Sequence, residues 1–279
     1  SSSEAGGLYT ATEVAMGCIT DICDTPFFYL VLLYMDKSYP EIKFGFDKNW
    51  ELRNWYQTCT QKVRYGLKNG SDKWDLGDIP TNIAEIVSTE SSEEKAIEKI
   101  SPVFNEFINS DSASNEIKRT IDRAQKRWSK IGEKYFSALS SMLEIPINEF
   151  EKQYFAFFTF SRRCPFNGDK FMFNKFNDFS NTAAHEIMHI EFFKKYASYC
   201  KERGLSEIQI SHLKEILTVL LNADMTDVLY HPDRGYKKHE EIRPKVLELY
   251  HEQKRDGISF VSFLNKIISL VKEHSFDEP

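Results

Sequence analysis

The run from Ala183 to Tyr199 constrains the chain most, because it sets His185, Glu186 and His189 among Ile187, Met188, Ile190, Phe192 and Phe193. Residues four apart on a helix lie one turn above each other, so both imidazoles face one side and can reach a single metal ion. Start and stop signals flank the run: Asp178, Ser180 and Asn181 are upstream caps, and Gly204 is a downstream stop. The apolar residues leave almost no solvated face, which predicts a buried helix. Buried His and Glu need partners. A metal supplies them together, whereas hydrogen bonds must be found for each group separately.

At 279 residues the chain fits one large domain or two closely packed ones. A change of texture at Pro146 divides it into a mainly helical region, residues 1–145, and a second region, residues 146–279. Hydrophobic residues make up 41%, with 22 Phe and 13 Tyr, which argues for a folded globular protein. The net charge of -6, with both signs interleaved, gives no footprint for nucleic acid or an anionic membrane. Cys18, Cys23, Cys59, Cys164 and Cys200 are scattered without C-x-x-C spacing and read as reduced thiols. The apolar run Phe27 to Met35 is half the length that spans a bilayer, and Ser1 to Gly7 lacks the order of a signal peptide. The expectation is a cytoplasmic protein.

In chain order, Asp24 or Thr25 caps a helix opening at Pro26, and Glu41 to Phe46 alternates like a strand. Asp47 caps a helix carrying Trp50, Trp55, Cys59 and Val63 and ending near Gly66 or Gly70. Ser91 and Glu94 form a capping box for a helix that Pro102 interrupts. Ile117, Ile121, Ala124, Trp128, Ile131, Tyr135 and Leu139 recur at helical spacing and predict one long amphipathic helix. Tyr154 to Phe160 and Phe171 to Phe173 are rich in strand formers and flank a Pro165 to Asp169 turn. They predict a small antiparallel sheet directly before the His-bearing helix. Glu207 to Asp224 reads as the next helix, then a Gly-centred turn carries Tyr236 and His239, and helices follow from Arg243 or Pro244 to Gln253 and from Ile258 to Lys272. The class is α+β, mainly α.

A hydrolytic zinc takes three protein ligands and keeps one position open. The third ligand here is sought in the Glu207 helix, where Glu215, Thr218 and Asn222 make a narrow polar stripe in an otherwise apolar segment. A solvated stripe would be wider and more charged, so this one is expected to face a buried polar site. Glu215 ranks first, ahead of Asp227 and then His212 and His231.

With His185, Glu186, His189 and Glu215 in this order, residues 150–240 resemble the zincin metallopeptidases, most closely the gluzincin branch. The resemblance implies a zincin-like region with an extra helical part before it, Zn2+ on His185, His189 and Glu215, and Glu186 as the base that takes a proton from the attacking water. It implies Tyr236 or His239 against the developing oxyanion, with Arg243 as a neighbour, and a peptide or protein substrate added as a strand along Tyr154 to Phe160 or Phe171 to Phe173. The family's N-E-x-x-x-D pattern is absent, since Lys214 precedes Glu215 and Val219 fills the later place; Thr218 or Asn222 must supply the support instead. The contrasting expectation is a scaffold or zinc-binding protein without catalysis, which holds a partner through its helical half.

Overall fold

The structure, a computed structural model, describes residues 39–60 and 75–276. The helix expected at Pro26 and the far end of the Trp50 helix, with Val63, lie outside the described residues. Strand β1 (Glu41–Gly45) is followed by Asp47, whose carboxylate accepts the N–H groups of Asn49 and Trp50 at 3.0 Å and starts helix α1 (Lys48–Thr60). Helices α2 (Thr81–Thr89) and α3 (Glu93–Ile108) come next. Ser92, not Ser91, caps α3, and Pro102 does not end it. Pro102 is exposed while Ile100 and Phe104 beside it are buried, so packing carries the helix across one missing hydrogen bond. Helix α4 (Asp111–Leu143) runs for 33 residues from its Ser110 cap, and buries Ala124, Trp128, Ile131, Tyr135 and Leu139 of the expected stripe.

The sheet corrects an expectation. Strands β2 (Gln153–Phe158), β3 (Phe166–Asn167) and β4 (Lys170–Phe173) join β1 in the order β1-β2-β4-β3, and β2 is parallel to both β1 and β4. Only β3 and β4 are antiparallel, turning at Gly168 (φ 61), where a left-handed residue is needed. Residues 159–169 therefore cross over between two parallel strands instead of making a hairpin from the first to the second. Both β2 and β4 are interior strands, so neither Tyr154 to Phe160 nor Phe171 to Phe173 has the free edge that strand addition was expected to use.

Pairing of β1 with β2 links the two expected regions, and Tyr39 onward forms one compact unit. On the sheet, Phe136 of α4 stacks on Tyr154 at 5.8 Å. Phe179 meets Phe173 at 4.9 Å and Phe44 at 5.1 Å, which seats the start of helix α5 (Phe179–Glu202) on β1 and β4. Asp178 caps α5, accepting the Ser180 N–H at 2.9 Å, and Gly204 (φ 82) follows its end.

Helix α6 (Glu207–Leu217) starts in a Ser206–Gln209 capping box. The single helix expected to Asp224 is broken: a 3₁₀ turn, Thr218–Leu220, separates α6 from the short α7 (Leu221–Asp224). Helices α8 (Arg243–Asp256) and α9 (Phe260–Glu273) close the fold, with Phe260, Phe263, Leu264, Ile267, Ile268 and Val271 buried as their spacing requires. Among the described residues no helix is long and apolar enough to cross a membrane.

Candidate metal centre and its cavity

The buried α5 is fixed against its neighbours by hydrogen bonds: the Tyr135 hydroxyl donates to the Ala184 carbonyl at 2.9 Å, and the Tyr154 hydroxyl donates to the Glu191 carboxylate. Its polar face brings the rings of His185 and His189 within 4.3 Å of each other. Helix α6 crosses this face and offers Glu215. His185 Nε2 and His189 Nε2 each lie 3.2 Å from the same oxygen, Glu215 Oε2. The three ligand atoms are within 4.8 Å of one another, a group that could hold a metal ion. The rival ligands are elsewhere: Asp227 is exposed and pairs with Lys134 at 3.2 Å, His212 Nδ1 meets His239 Nε2 at 2.9 Å, and exposed His231 turns to the Pro232 carbonyl at 3.1 Å.

The chemistry of this donor set calls for a cation. His185 Nδ1 lies 2.9 Å from Asp233 Oδ2, so its proton belongs there and Nε2 points a lone pair at a carboxylate oxygen. That arrangement repels unless a proton or a metal ion sits between the atoms. Burial works against charge on His185, yet its hydrogen bonds to Asp233 and Glu215 raise it to about 10. Burial and the charge of His185 push His189 down to about 3, and His189 Nδ1 is buried with no hydrogen-bond partner among the described residues. Burial opposes the charge of Glu215 too, but the two imidazoles hold its carboxyl well below the usual range, and Lys214 Nζ donates to its other oxygen, Oε1. His185, His189 and Glu215 thus fit a divalent ion.

Behind the triad stands a buried network. Arg243, at the start of α8, donates to Asp233 Oδ1 at 2.8 Å, to the Asp233 carbonyl at 3.0 Å, to Thr218 Oγ1 at 2.7 Å and to the Glu215 carbonyl at 3.0 Å. The Thr218 hydroxyl lies 2.9 Å from Asp233 Oδ1, and Asn222 exchanges hydrogen bonds with the Asp233 backbone at 2.6 and 2.8 Å. The stripe Glu215, Thr218, Asn222 thus faces this network, as its narrowness implied. Arg243 and the Thr218 hydroxyl both donate to the Glu215 carbonyl, at 3.0 and 2.8 Å, where α6 gives way to the 3₁₀ turn. Gly235 (φ 61) is required in the turn, since a Cβ would fall 2.5 Å from Arg243 Nη1. Sequence reasoning missed Asp233 and Lys214. The only local signal for Asp233 is its place in a turn framed by Pro232 and Gly235.

A cavity of about 320 Å³ opens beside the triad, walled by His185, Glu186, Asp233, Tyr236, Arg162 and Cys164. Glu186 is half-buried and receives no hydrogen bond from a described residue. Burial lifts its carboxyl to about 7 against the pull of His185 and Lys214. Tyr236 reaches this cavity. His239 does not line it; its ring is fully buried against His212, its Nδ1 lacks a partner among the described residues, and burial followed by His212 lowers it to about 4. His185, His189, Glu215, Glu186 and Tyr236 are brought to one place, and His239 stands behind it.

No protein-family model matches the chain, and neither does any curated protein or solved structure.

Proposed function

We propose that the chain is a zinc-dependent metallopeptidase of zincin-like, gluzincin type, which hydrolyses bonds in a peptide or protein substrate. The observation that supports this most is the placement of Glu186: a carboxylate without a hydrogen-bond partner among the described residues, in the wall of an open cavity, next to two imidazoles that share one carboxylate oxygen. Zinc, when bound by His185, His189 and Glu215, supplies Lewis acidity and lowers the pKa of water to roughly 7. Glu186 accepts a proton from the attacking water and passes it to the leaving amine. Asp233 keeps the His185 proton on Nδ1, so that Nε2 stays available as a donor. Arg243 and Thr218 hold Asp233 in place. Tyr236 offers its hydroxyl to the oxyanion.

Glu186→Gln keeps the shape and removes the base. Expected is a protein that retains zinc and loses cleavage of a mixed peptide pool by a factor of at least about 10². Retained cleavage would overturn the reading, and retained zinc with no cleavage in the parent protein would favour a non-catalytic scaffold.

A further inference from the structure

A second cavity neighbours the one beside Glu186. Asn177 and His231 line both, and the second, of about 390 Å³, runs past Arg123, Arg127 and Lys175, while Arg162 and Arg234 stand in the first. This gathering of cations occurs in a chain whose net charge is -6. The acids in the same walls are occupied or assigned. Asp178 caps α5 and lies 4.0 Å from Arg127, Asp233 serves His185 and Arg243, and Glu186 is the proposed base. Some of the cations are answered as well, Arg162 by Asp75 at 2.6 Å and Lys175 by Asp78 at 2.5 Å. Arg123 and Arg234 are not: both are exposed and make no hydrogen bond or ion pair among the described residues. Arg127 is half answered, since its Nη2 donates to the Val228 carbonyl at 3.0 Å while its buried Nε has no hydrogen-bond partner among the described residues.

We propose that these neighbouring cavities select peptides with acidic side chains flanking the cleaved bond, Arg234 reading the position near Glu186 and Arg123 with Arg127 reading positions further along the chain. The proposal rests on the peptidase reading of the Glu186 centre. Cations clustered in a concave wall focus their field on a short anionic segment and steer its register. A nucleic acid fits less well, because a long polyanion also meets the net negative charge of the whole chain.

The test uses zinc-loaded Glu186→Gln protein, in which turnover is blocked, and two short fluorescent peptides that differ only in Glu for Gln at the same positions. Anisotropy titration is expected to show roughly tenfold tighter binding of the Glu peptide at low salt. The advantage should shrink as salt rises and vanish in the added Arg123→Glu, Arg234→Glu pair, with zinc content and melting temperature kept. Equal binding of the two peptides, an advantage that survives the double change, or displacement of the Glu peptide by a single-stranded oligonucleotide at lower concentration than by unlabelled Glu peptide overturns the proposal. Cleavage by the parent protein is read separately. A Glu preference in binding with no peptide cleaved defeats the peptidase reading alone.

Discussion

Asp233→Asn removes one charge from the network and keeps its shape. In the parent protein Asp233 Oδ2 lies 2.9 Å from His185 Nδ1, and Oδ1 accepts from Arg243 at 2.8 Å. Two effects follow. First, the amide orients the imidazole less firmly and lowers its basicity, so zinc affinity should fall roughly 10- to 100-fold, or about 1.4 to 2.7 kcal/mol. Second, stability without zinc should fall. Burial disfavours the Asp233 charge, but His185 and Arg243 outweigh it and bring the carboxyl from 3.8 down to about 2, which corresponds to about 2 kcal/mol. A depressed carboxyl stabilises the fold above its unfolded value, near pH 4, and that contribution is lost as pH falls through about 2. His185 rises further than Asp233 falls because Glu215 Oε2 faces its other nitrogen. The assays are competition against a chromophoric zinc chelator at pH 7, and urea denaturation of the zinc-free protein from pH 7 to pH 2. Zinc affinity within twofold of the parent would show that Asp233 does not orient His185.

The proton that His185 holds to about pH 10 in the zinc-free protein must leave when a metal binds, so zinc affinity should rise with pH by about tenfold per unit below that value. Calorimetry in buffers of different ionisation enthalpy should find about one proton released per zinc at pH 7, and release of none would contradict a His185 held protonated between Asp233 and Glu215. On α1, Glu51 is fully buried, accepts from Trp55 at 2.6 Å and from the Phe160 N–H at 2.8 Å, and is raised from 4.5 to about 7 by burial. Its contribution is present below pH 4.5 and lost as pH rises through about 7, up to about 3 kcal/mol, so Glu51→Gln should flatten that loss in denaturation at pH 5 and pH 8. An unchanged pH dependence would rule Glu51 out. Tyr236→Phe should lower kcat roughly 10²-fold with KM little changed, and an unaffected kcat would remove Tyr236 from the oxyanion role.

What could be read from the sequence was whatever depends on spacing within one element. His185 and His189 share a face because they are four apart on a helix, and Glu215, Thr218 and Asn222 share another. The stripes of α4 and α9 are legible for the same reason. Beyond Glu215, three-dimensional partnership was not. Asp233 comes from a turn that only folding brings to His185, Arg243 from a helix start that folding brings to Asp233, and no periodicity marks them. The strands were recognisable by composition, but their pairing depends on where residues 159–169 cross, and composition says nothing of that. Pro102 misled because a solvent-facing helix position tolerates the lost hydrogen bond when both neighbouring turns are packed. Tyr236 and His239 sit three apart in one short segment, yet the 3₁₀ turn at Lys237–His239 sends one to the cavity and the other into the core.

As proposed, one zinc is held by His185, His189 and Glu215 with a coordination position left for substrate. Anomalous diffraction at the zinc edge, from crystals of protein purified without added metal, tests it most directly. A single peak is expected among His185 Nε2, His189 Nε2 and the Glu215 carboxylate, open toward Glu186. A site empty of anomalous signal, or a zinc closed by a fourth protein side chain, would contradict it.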